Sequence, residues 1–135
     1  MNRLLLVPLL FIGINAFAEV AVVVHPSNAS TLNAEEISKL YLGRSKSFPD
    51  GKAAIPLALG DSSGATAIFN EKVLNKTGSQ IKAYWSKLVF TGKGTPPKEL
   101  ATDQEVIDLV SQNPSVIGYV DKSAVNASVK VVATF

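Results

Sequence analysis

The segment Leu59-Gly60-Asp61-Ser62-Ser63-Gly64-Ala65-Thr66 combines small, polar and flexible residues at a spacing suited to holding an anion. A strand pattern precedes it and a helix pattern follows. A helix that starts here leaves its first backbone N–H groups unpaired and carries partial positive charge. Ser62, Ser63 and Thr66 add hydroxyl donors. Gly64 and Ala65 add N–H groups with little side chain in the way. Asp61 can accept from a protonated oxyanion or cap the helix. Together they form an oxyanion cradle at the carboxyl end of a strand, where open α/β sheets hold ligands. An ordinary capped helix uses the same residue types, so the segment alone leaves both readings open.

The same segment satisfies G-x-S-x-G through Gly60, Ser62 and Gly64, in the strand–turn–helix setting of a nucleophile elbow. Ser62 would be the nucleophile of a serine hydrolase and His25, the single histidine, its base. The chain order argues against this, because His25 precedes the serine. Gly92-Lys93-Gly94-Thr95 resembles a phosphate loop only superficially: a Gly follows Gly-Lys where Ser or Thr is required, and Lys87 stands at the first Gly position. It reads as a connection between helices, with Lys93 lending charge. Tyr84 and Trp85 fall within a helical apolar stripe and read as core.

The length of 135 residues fits one domain, and a formal net charge of +2 is too small to attract nucleic acid by bulk field. The chain has no cysteine, so disulfides, thiolate metal sites and cysteine nucleophiles are excluded, and no cofactor is implied. Residues 1–18 have the layout of a cleavable signal peptide. Arg3 supplies the charge, Leu4–Ile14 the apolar run, and Ala16-Phe17-Ala18 the cleavage site. That run is well short of the roughly 20 residues that span a bilayer. Removing residues 1–18 from 135 leaves 117, residues 19–135, with a charge of +1 and an expected periplasmic location.

The elements that would position the loop follow from periodicity. Val20–Val24 is a continuous β-branched run, expected to be buried on both faces. Asn33 and Glu36 have capping-box spacing, Leu32 and Ile37 form a staple, and Gly43 ends the helix. Ala54–Leu59 reads as a strand, with Pro56 at an edge or paired on one side only. Ala65, Ile68, Phe69 and Val73 give the inner face of the next helix, broken at Asn75–Gly78. Ser79 is expected to cap a helix bearing Ile81, Tyr84, Trp85 and Leu88. Thr102 and Glu105 form another capping pair, and Val106, Leu109 and Val110 the face of the last helix. Val116–Val120 and Val129–Thr134 complete an α/β domain.

The ordered set Val20–Asn28, Leu32–Ile37 with Leu40–Gly43, Asp61–Thr66, Ala83–Trp85 with Phe90–Gly94, and Asn113–Val120 resembles the phosphate ABC-transporter substrate-binding proteins. The likeness is to short, one-lobe members of that family. It implies a single lobe of a type II periplasmic-binding-protein fold, with a mixed sheet of about four or five strands flanked by helices. It also implies a non-enzymatic protein that binds phosphate or a related oxyanion at Asp61, Ser62, Ser63, Gly64, Ala65 and Thr66. The partners it implies are an ABC permease or another envelope protein. In the family's Arg-Ser-Asp-Gly-Ser-Gly-Thr segment, Asp61, Ser63 and Gly64 match. Leu59 stands in place of the Arg, and Ala65 in place of the Thr. The helix-end donors remain while the strongest charge partner is missing, so binding is expected to be weak. Tight binding would need a second lobe, from a homodimer or another protein. The alternative is a one-lobe module used for protein interaction or regulation without ligand transport.

Overall fold

The computed structural model describes residues 18–135. The signal peptide is expected over residues 1–18, of which 1–17 lie outside the described residues. Strand β1 (Val20–Val24) leads to helix α1 (Ala34–Tyr41), then β2 (Ile55–Leu59) and α2 (Gly64–Phe69). Helix α2 runs on as a π-helical turn, Asn70–Leu74, before α3 (Gly78–Phe90). Strand β3 (Lys98–Leu100), α4 (Asp103–Gln112), β4 (Val116–Asp121) and β5 (Lys130–Thr134) follow. The strands form one mixed sheet in the order β3-β2-β4-β1-β5. β2 lies parallel to both neighbours, and β1 antiparallel to both of its own.

Every residue of β1 is fully buried, as its β-branched run requires. Successive residues of β4 face opposite sides of the sheet. Tyr119 packs against Tyr41 of α1 and Phe69 of α2, whose ring stacks on it at 4.1 Å and 9°. Gly118 faces α4, where a Cβ would collide with Val106 Cγ1. A glycine at that position lets α4 seat directly on β4.

The helix ends show how closely local chemistry follows the residues. Asn33 and Glu36 form the full capping box, and Gly43 takes the left-handed conformation just after α1. The start of α3 is set by Thr77 rather than Ser79: Thr77 Oγ1 accepts from Gln80 N, and Gln80 Oε1 accepts from Thr77 N. Thr102 accepts from Glu105 N, but the Glu105 carboxylate accepts from Ala101 N, so only half of that box closes. Strand β3 is the element the residue pattern did not indicate. Its Lys-Glu-Leu is too short and polar to show alternation, and it exists because β2 offers a free parallel edge.

Candidate functional site

The loop after β2 is positioned by two tyrosines. β2 pairs with β4 only at Ile55 and Pro56, and Pro56 has no partner in β3. Beyond that point the Tyr41 hydroxyl bridges the strands, 2.7 Å from the Leu57 carbonyl and 3.3 Å from that of Ile117. One step further, Tyr119 Oη accepts from Leu59 N at 3.2 Å. Burial raises the pKa of both phenols, most strongly for Tyr41, so both stay protonated and able to bridge.

Each proposed ligand residue has a definite place. Thr66 is buried, and its hydroxyl turns inward to donate to the Leu59 and Gly60 carbonyls, both at 3.0 Å. It also meets Tyr119 Oη at 3.1 Å. The expectation that this hydroxyl faces a ligand is therefore corrected: it ties the first turn of α2 to the end of β2. Thr66 N donates to Ser63 O, and Ser63 N to Gly60 O. Among the described residues, the N–H groups of Ser62, Gly64 and Ala65 have no backbone acceptor. The Ser63 side chain makes no capping bond, so the orphan donors at this helix start stay uncovered. Ser62 and Gly64 are exposed, Ser63 is half-buried and Ala65 is buried.

Asp61 is exposed and forms an ion pair with Lys82 of α3, Oδ2 to Nζ 2.8 Å. The hydrogen bond from Lys82 to that carboxylate, with its charge, raises the Lys82 pKa. Lys82 is the functional candidate that sequence reasoning missed. Nothing in its neighbours marks it, because its place depends on α3 folding back over the end of β2. Leu59, at the position of the family's Arg, is a core residue only 2% exposed. A cavity of about 70 Å³ lies behind the loop, bordered by Asp61, Thr66, Asn70, Glu99 and Tyr119. Asp61 and Glu99 both border it, which disfavours an anion inside it.

The topology separates Ser62 from His25. β1 runs antiparallel to β4 and β2 parallel to it, so β1 and β2 point in opposite directions. The register sets Val24 and Pro56 opposite the same residue, Ile117. His25 therefore lies at the entry end of β2, and Ser62 beyond its exit. The strand length between them, roughly 13 Å at 3.3 Å per residue, prevents a nucleophile–base contact. His25 Nδ1 instead meets Ser27 Oγ at 2.7 Å.

No family model matches the chain, and no curated protein matches it. Solved structures do match. One is a Clostridium perfringens protein assigned as a phosphate ABC transporter substrate-binding protein and solved with bound phosphate. It has a TM-score of 0.66 at 20% identity, with 85% of this chain covering 45% of that one. An ABC-type phosphate transport receptor from Vibrio cholerae has a TM-score of 0.59 at 17% identity, covering 85% of this chain and 46% of that one. PstS from Borrelia burgdorferi gives 0.61 at 18% identity, covering 87% and 48%. The fold is that of a single lobe of a type II periplasmic binding protein. At these identities the likeness is one of fold. The chain spans less than half the length of each of these structures.

Proposed function

We propose that this is an exported oxyanion-binding protein that takes inorganic phosphate or a related oxyanion weakly at Asp61–Thr66. The observation that carries the reading is the uncovered start of α2. Ser62, Gly64 and Ala65 offer free N–H groups at the exit of a sheet strand, in a fold shared with a chain solved with bound phosphate. Ser62 and Ser63 add hydroxyl donors. Thr66 acts through the backbone it holds in place, and Asp61 accepts from a protonated oxyanion while keeping Lys82 at the rim. The signal-peptide layout of residues 1–18 supports export to the periplasm, where an ABC permease is the partner the resemblance implies. Residues 19–135 act as one domain in this reading. An exposed helix start adds only about 0.3–1 kcal/mol towards an anion, so phosphate binding is expected to be on the order of millimolar or weaker, no better than about −4 kcal/mol.

Substitution of Ser63 by Asp tests the site. It sets a fixed negative charge among the donors, and calorimetric titration should show phosphate binding weakened more than about tenfold, 1.4 kcal/mol. Unchanged binding in a folded S63D protein would remove the site. A protein-contact role is the second reading, favoured by Phe90 and Val89 at the end of α3, which are 93% and 53% exposed. Mild crosslinking in periplasmic extract tests it, and recovery of no partner counts against it.

A further inference from the structure

A second region of the molecule has the make-up of a binding site and shares no residue with Asp61–Thr66. The loops that leave α1 and α3 close around a cavity of about 750 Å³, within the ~300–1,000 Å³ range of small-molecule sites. Leu88 and Pro97, both half-buried, supply an apolar surface over the buried Trp85 ring, and the exposed Arg44, Lys46 and Lys93 line the same space. No Asp or Glu lines it. None of the three cations has a carboxylate within ion-pair distance among the described residues, where the ion pairs are Lys39–Glu35, Lys82–Asp61 and Lys122–Glu19. A cation beside a helix C-terminus is favourable in itself. That accounts for a charge at each helix end, but not for three on one cavity with no acid in its lining.

The apolar surface is held in place. The Tyr84 hydroxyl donates to the Leu42 carbonyl at 2.6 Å, fastening the end of α1 to α3. The Trp85 ring lies between Gly43 and Gly94, where added Cβ atoms would sit 3.1 and 3.2 Å from it. Any side chain at Gly43 or Gly94 would press on the ring, so the two glycines let both loops close onto it. The result is a preorganised apolar floor with exposed charges lining the same cavity, which suits a ligand carrying both an anionic head and an apolar body.

We propose that this cavity binds an organic anion, an acyl or aryl carboxylate or phosphate. Its apolar body lies along Leu88 and Pro97, over the buried Trp85 ring, and its head group meets Arg44, Lys46 and Lys93. Inorganic phosphate lacks the body, and a neutral alcohol lacks the head, so both bind here more weakly.

Trp85 is the single tryptophan, so its fluorescence reports on the cavity directly. Octyl phosphate titrated into the full folded protein should change that emission with half-saturation below about 1 mM. Inorganic phosphate and 1-octanol should each be at least about tenfold weaker. The exposed charges can be reversed without touching the core: R44E/K46E/K93E should lose octyl phosphate binding at least about tenfold while circular dichroism stays unchanged. The S63D protein should bind octyl phosphate as before, which separates this cavity from the loop site. Absence of saturation up to about 5 mM octyl phosphate would overturn the proposal. So would equal binding of octanol or of inorganic phosphate, or undiminished binding in the folded triple variant.

Discussion

The loop after β2 and the cavity between α1 and α3 differ in what carries their positive potential. At the loop it is backbone: free N–H groups of Ser62, Gly64 and Ala65, with the nearest ammonium, Lys82, already paired to Asp61. At the cavity it is side chain: Arg44, Lys46 and Lys93 without acidic partners, lining a space floored by Leu88 and Pro97. Backbone donors are fixed, short and directional, so they select a compact oxyanion by hydrogen bonding. Flexible cations beside an apolar floor select charge joined to apolar area. In the proposed reading one small chain holds two anion-facing regions of opposite design, and each should respond to substitutions that leave the other untouched.

The sharpest way to break that contrast is to supply the loop with a side-chain cation. Leu59→Arg places one where the resemblance to phosphate receptors calls for it. If position 59 faced the ligand, phosphate affinity would rise. Because Leu59 is 2% exposed in the core, the variant should instead lose about 3–5 kcal/mol of stability, an uncompensated buried charge, measured by denaturant unfolding. Next in size is Thr66→Val. It strips the Leu59 and Gly60 carbonyls of a donor and leaves Tyr119 Oη without that partner, at a cost of about 1–3 kcal/mol. Phosphate binding should weaken with it, while octyl phosphate binding at Arg44, Lys46 and Lys93 stays unchanged once the protein is folded. A ligand-facing Thr66 would give the reverse, lost binding at unchanged stability. The smallest effect belongs to Lys82→Ala. Its pair with Asp61 is solvent-exposed, so stability should stay almost unchanged. Phosphate affinity should fall about two- to threefold, because the freed Asp61 carboxylate then repels the anion.

The residues made most of the scaffold legible, and the reasons differ from element to element. β1 was plain because a β-branched run admits little else, and α1 because Asn33 and Glu36 satisfy each other. Pro56 allows either an edge position or one-sided pairing, and the register of β2 shows the second, with Pro56 opposite Ile117 of β4 and no partner in β3. Ser79 misled as a cap because Thr77 had a better partner three residues on, in Gln80. β3 was illegible because its cause is a free edge elsewhere in the sheet. At the loop, sequence located the segment but not the direction of its side chains. Thr66 turns inward because Tyr119, 53 residues away in the chain, waits there as a partner. Leu59 points into the core and Lys82 arrives from α3, both consequences of packing that no local motif encodes.

The central claim is that the free N–H groups after β2 receive the oxyanion. Inorganic phosphate titrated into the ¹⁵N-labelled protein, stripped of carried ligand by unfolding and refolding, tests it residue by residue. The account predicts saturating amide shifts confined to Ser62–Thr66 and Lys82, with half-saturation at about 1 mM or above. Shifts that appear first at Arg44, Lys46 and Lys93, or none at the loop up to about 20 mM phosphate, would contradict it.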